Sequence, residues 1–266
     1  MPSPADLADL PFLREALVEL VLLAIAGGVL GAWVVLRRLA FFTHAAGSAT
    51  FPGLVLADAS GISPTIAGIA VALGYAGGVQ RVGGQGREHG EGTALLLVAA
   101  LAAGVILASD VFESGGVVDR LLFGTLLGLD STDIAISAAV AAVAALAAIL
   151  LGRTWSAVGF DPDGSASLGV PANRADLLLL GLVGVAAVAA IPAVGALLVT
   201  AIYVLPAAAA RMLARSIRGL IACALALALA EGVVGLYLAY WLDVPPGPPI
   251  AVLGAFLCLA LSVVRR

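Results

Sequence analysis

Apolar runs of membrane-crossing length recur from near the start of this chain to its end, with few charges inside them. A hydrocarbon core of about 30 Å is crossed by about 20 apolar residues in a helix. Backbone polar groups in lipid must be satisfied within helices or a closed barrel. Barrel strands would appear as short alternating segments, and the sequence has none. With 62% hydrophobic and 11% charged residues and a mean hydropathy of +1.14, no water-soluble fold requires so much apolar sequence. The expected fold is all-α, a polytopic helical membrane protein forming a single transmembrane domain over 1–266. The 32 Gly and abundant Ala suit close helix packing in lipid.

Composition also excludes several functions. All 13 basic residues are Arg, so there is no Lys for a nucleotide-binding phosphate loop. Any use of ATP needs another subunit. A net charge of −4 offers no basic face for nucleic acid. The opening MPSPADLADLPFLREAL is acidic where a cleaved signal would be basic. Cys223 and Cys258 lie within apolar spans and are expected as free thiols. Neither H-E-x-x-H nor G-x-S-x-G occurs, which argues against an intramembrane enzyme.

Hydrophobic periodicity and length give about nine spans: near Ala16–Leu36, His44–Ala57, Ile62–Val79, Thr93–Ser109, Ile134–Leu151, Leu177–Ala190, Gly195–Ala210, Leu220–Trp241 and Ile250–Val264. Under this count every Arg except Arg14 and Arg120 falls on one side, which is then the cytoplasmic one. The apolar piece Leu121–Leu129 is too short to cross and reads as a re-entrant or surface helix on the outer face. On the cytoplasmic side, about 158–175, Asp161-Pro162 is a helix-start signal. Gly169 and Pro171 end that short helix.

Polar groups inside the spans are few. In RRLAFFTHAAGSATFPGLVLAD (Arg37 to Asp58), His44 and Ser48 stand one helical turn apart, just before a Pro52-Gly53 helix break. Irregular backbone at membrane depth must line a cavity or be buried in protein, so this stretch is a candidate transport site. His44 also reads as a structural histidine near the headgroups, and Ser48 as a packing residue. Glu231 lies within an apolar span, where a carboxylate is costly and is either functional or hydrogen-bonded to a neighbouring helix. Thr200 and Tyr203 are polar enough to face it or the path. His89, with Glu88 and Glu91, sits in a Gly-rich loop and reads as solvated.

The residues GFDPDGSASLGVPANRADLLLL and IPAVGALLVTAIYVLPAAAARMLARSIR carry a resemblance. The chain resembles the permease subunits of ABC importers for zinc, manganese or iron, of type II architecture. Their cytoplasmic loop carries a Phe-Asp pair followed by Ala and Gly, as Phe160, Asp161, Ala166 and Gly169 do here. Their following span is matched from Val194 through Pro206 to Arg211. LRRLAFF, LLFGTLLGLDSTD and YLAYWLDVPPGPPIAVL fit as well. The resemblance implies a multi-pass protein of the bacterial plasma (inner) membrane that pairs with a second permease copy. It also implies cytoplasmic ATPase subunits docking near Asp161, with ATP and Mg bound there and no cofactor on this chain. An external solute-binding protein would deliver a divalent metal ion. Where zinc and manganese members carry G-D-x-x-x-H, this chain has His44 at the Asp position and Ser48 at the His position. The alternative function is an ion-coupled secondary transporter with Glu231 as proton carrier.

Overall fold

The computed structural model describes residues 11–83, 90–111, 124–126, 129–167, 169–196 and 198–264, and within them every regular element is helical. The loop cluster around His89 and most of Leu121–Leu129 lie outside the described residues. Among the described residues, six helices are long and apolar enough to cross a membrane.

The first, α1 (Pro11–Leu36), opens on Pro, tolerated where a helix needs no N–H donor. It ends at Leu36, two residues before Arg38, whose φ of 56° leaves the right-handed region. There follow α2 (Ala40–Ala49) and α3 (Phe51–Ser60), which divide the short second span. The break falls at Thr50, two residues before Pro52. The Thr50 hydroxyl donates to the Gly47 carbonyl at 2.6 Å. Pro52, in the first turn of α3, has no N–H to return to the preceding turn, so α2 cannot run straight through. Gly53 brings α3 onto α4 (Pro64–Gly83). A Cβ there would lie 2.6 Å from Val71 Cγ2 and 3.2 Å from the Ala67 carbonyl oxygen.

Next come α5 (Gly90–Ile106), with a π-helical turn at Leu107–Val111, and α6 (Ser131–Phe160). A capping box of Asp130 and Asp133 starts α6, which outruns the expected span at both ends. The short helix expected in the 158–175 loop is α7 (Pro162–Ser167). Beyond it, α8 (Ala172–Val194) ends at Gly195, φ 78°. The span expected over Gly195–Ala210 is divided into α9 (Val199–Tyr203) and α10 (Leu205–Leu213). Pro206 sits in the first turn of α10, repeating the device of Pro52. The last two are α11 (Ile217–Leu242) and α12 (Gly247–Val264).

Two spans form the centre. Leu13–Leu36 and Ala172–Val194 are each 72% buried, whereas Gly90–Ser109, Ser131–Phe160 and Gly247–Val264 are 17–22% buried and offer their apolar sides to lipid. Small residues bring the central helices together. A Cβ at Gly28 of α1 would lie 2.8 Å from the Leu225 backbone of α11, and one at Gly232 of α11 would lie 3.2 Å from Leu20. In lipid such close approach replaces the hydrophobic drive as the source of association.

Candidate translocation path and coupling loop

The His44 helix presents a mixed face. Phe41, His44 and Ser48 recur at helical spacing; Phe41 is exposed and the other two are half-buried, while Thr43, Ala45, Ala46, Gly47 and Ala49 are buried. The buried side meets the approach to α9, since a Cβ at Gly47 would lie 3.4 Å from the Ala196 carbonyl oxygen and 3.7 Å from Val199 Cγ2. Thr200, next along α9, is half-buried like Ser48. The two divided spans therefore touch, and each carries half-buried polar residues. Among the described residues no three His, Cys, Asp or Glu side chains come together as a metal cage.

Tyr203 stands elsewhere. It is buried, and its hydroxyl donates to the Ala186 carbonyl of α8 at 3.0 Å. Its ring lies against α1, 3.0 Å from where a Cβ of Gly27 would be. Tyr203 thus ties the α9 end to both central helices. Glu231 is also apart from His44: it is 5% exposed, and neither carboxylate oxygen has a partner. A Cβ at Gly254 of α12 would lie 2.8 Å from Glu231 Oε2 and 3.1 Å from Leu205. On the same face of α12, the Cys258 thiol donates to the Leu205 carbonyl at 3.2 Å.

A second buried carboxylate, Glu19 of α1, escaped the sequence reading. It is 1% exposed and accepts a 2.5 Å hydrogen bond from the Ser137 hydroxyl of α6. Its signal was the one that marked Glu231, a carboxylate inside an apolar run.

At the other end of the molecule, the loop over 158–175 is pinned at its base. Phe160 ends α6 with its side chain 75% exposed. Asp161 Oδ1 accepts from the Gly164 N–H at 2.9 Å, capping α7, as its preference for that position dictates. Ala166 lies within α7, and Gly169 follows with φ 77°, a conformation that favours glycine. Trp155 Nε1 donates across the loop to the Ala175 carbonyl at 3.0 Å. The Trp155 ring meets Trp33 edge-on, centroids 5.7 Å apart. Arg37 Nη2 donates to Asp176 Oδ1 at 2.5 Å. A displacement of the loop is thereby shared among α1, α6 and α8.

Helices of membrane-crossing length, two divided spans in contact and a short loop helix whose base is braced to the central helices are the build of a membrane transport subunit. The family model of the ABC 3 transport family matches residues 9–265. The chain belongs to that family, the permease subunits of ABC-type metal importers, and is a multi-pass protein of the bacterial inner membrane. The manganese transport system membrane protein MntC of Halalkalibacterium halodurans is 28% identical over 258 residues, 95% of this chain and 87% of the relative. The chelated iron transport system membrane protein YfeD of Yersinia pestis is 28% identical, covering 94% and 85%. Among solved structures, PsaBC from Streptococcus pneumoniae in complex with Fab superposes with a TM-score of 0.85 at 26% identity, covering 97% of this chain and 93% of that one.

Proposed function

We propose that the chain carries a divalent metal ion of the manganese, iron or zinc class across the membrane. A cytoplasmic ATPase drives it, an external solute-binding protein supplies it, and a second permease copy faces it across the path. About nine crossings underlie this reading: the six long helices, α4, and the divided pairs α2–α3 and α9–α10. The observation that carries it is the contact between those pairs. His44, Ser48 and Thr200, on the touching helices α2 and α9, are each half-buried and close in sequence to a helix break.

His44 supplies an imidazole and Ser48 a weak hydroxyl ligand, so one protomer gives an incomplete coordination shell for a dication. The face they occupy is open to a second copy, which would supply the remainder. An open, weak site also suits transport, because an ion held by a complete shell leaves slowly. Phe160, Asp161, Ala166 and Gly169 form the coupling element on which the ATPase docks. Rescue of a permease-deletion strain on metal-depleted medium, one metal at a time, tests the cargo. Rescue by manganese, iron or zinc is expected, and rescue by none of them would remove the metal from this reading.

A further inference from the structure

Glu19 is the group that the proposed path leaves unexplained. It lies on α1 about 12 Å below the helix start, at about 1.5 Å per residue, and Ser137 lies about 9 Å below the start of α6. Both helices start at the end of the molecule that the Arg count assigns to the outside. Glu19 Oε1 accepts from Ser137, and Glu19 Oε2 is buried without a partner. Asp133 precedes Ser137 by one turn on α6, on the same face, in the partly exposed capping box. Glu19 therefore has Ser137 against it, and Asp133 stands one turn nearer the outer end of α6.

The cations of the elements packed on α1 lie away from this depth. From α6 the titratable group is Asp133, from α9 it is Tyr203, whose ring packs on Gly27 of α1, and from α10 it is Arg211, which donates to the Val35 carbonyl near the opposite end of α1. From α11 it is Glu231, next to the Gly232 that receives Leu20. On α1 itself Arg14 and Glu15 are exposed, nearer the outer end. The charged residues of α8, Arg174 and Asp176, lie at its opposite end, and α2 offers only His44. A carboxylate in lipid surroundings without a cation is costly, and the cost is removed when it takes up a proton. The short α9 joins this group to the path, for it contacts α2 on one side and α1 on the other.

We propose that Glu19 is a proton-binding site of the transport cycle. It holds a proton while the path is empty and releases it when a divalent cation enters beside α9. The carboxyl O–H breaks, leaving a carboxylate that still accepts from the Ser137 hydroxyl. The proton leaves toward water at the outer end of α6, the end at which Ser137 and Asp133 stand. The ionised Glu19 then offsets one charge of the dication inside the membrane, where the His44/Ser48 pair supplies none. This rests on the cargo reading above, whereas the proton site itself does not.

The test is infrared difference spectroscopy on the permease–ATPase complex in lipid nanodiscs. A pH titration without metal is expected to show a protonated-carboxyl C=O band that Glu19→Gln removes and Glu231→Gln retains. Gln keeps the size of Glu19 and a partner for Ser137, and an unchanged size-exclusion profile checks its fold. Manganese at fixed pH should then bleach the Glu19 band and release on the order of one proton per bound ion, with release lost in Glu19→Gln. Identical acid bands in wild type and Glu19→Gln overturn the proton site. A bleach-free spectrum with manganese bound overturns the exchange. Absence of binding to wild type by manganese, iron and zinc alike sinks the cargo and the exchange together, while the acid band still decides the proton site.

Discussion

Arg37 and Asp176 join the end of α1 to the second turn of α8 through a 2.5 Å ion pair whose side chains are 13% and 14% exposed. The two most enclosed spans are thus locked at the end that carries α7. Removing one partner leaves the other charge partly buried and unpaired, which costs more than an exposed pair is worth. Arg37→Ala or Asp176→Ala alone is expected to destabilise the permease by about 2 kcal/mol. The double variant should lose clearly less than the sum. Thermal unfolding in detergent, read as a double-mutant cycle, checks this; additive losses would mean the pair is not coupled.

Tyr203 is expected to act through the fold. Tyr203→Phe removes the hydrogen bond to the Ala186 carbonyl and leaves that acceptor buried, costing about 1 kcal/mol. The apparent affinity for the transported ion should stay within twofold of wild type, roughly 0.4 kcal/mol. A large change in affinity with unaltered stability would return Tyr203 to the path.

The helical membrane fold was legible because lipid imposes it. A chain with so many long apolar runs has few other solutions. Pro52-Gly53 signalled a division of the short second span, though the break fell at Thr50, whose own side chain bonds back to Gly47. Pro206 carries the same signal in the seventh span and was passed over in a longer apolar run. The start of α7 followed from Asp161-Pro162. The braces of Trp155 to Ala175 and Arg37 to Asp176 were illegible, since they join residues distant in sequence through helix crossings that no local pattern fixes. Glu19 was visible by the same rule as Glu231, but its Ser137 partner depends on how α1 meets α6.

His44 and Ser48 are assigned to the ion path by proposal, and their half-buried placement gives them separate expected effects. His44→Ala should lower ion uptake at least about tenfold, the loss of one imidazole–metal interaction worth about 1.4 kcal/mol or more. Ser48→Ala should have a smaller effect, because a hydroxyl is a poor ligand for such ions. Uptake assays at matched expression compare the two, and wild-type rates in both variants would return the pair to helix packing.

Asp161 is expected to serve two roles that substitutions separate. Asp161→Asn keeps an acceptor for the Gly164 N–H and should retain α7 and ATPase association. Asp161→Arg removes the cap, at about 1 kcal/mol, and reverses the charge on the exposed loop. ATPase co-purification should be lost in Asp161→Arg while membrane insertion persists. Undiminished co-purification would remove α7 as the docking element.

The central claim is that this chain moves metal only when an ATPase drives it. Purified permease in sealed vesicles, loaded with or without its ATPase and given radiolabelled manganese with the solute-binding protein, tests it most directly. Uptake is expected only when ATPase and ATP are both present, and to be abolished in an ATPase unable to hydrolyse. Uptake by the permease alone, driven by an imposed proton gradient and sensitive to Glu231→Gln, would contradict the account and mark the chain as a self-contained secondary transporter.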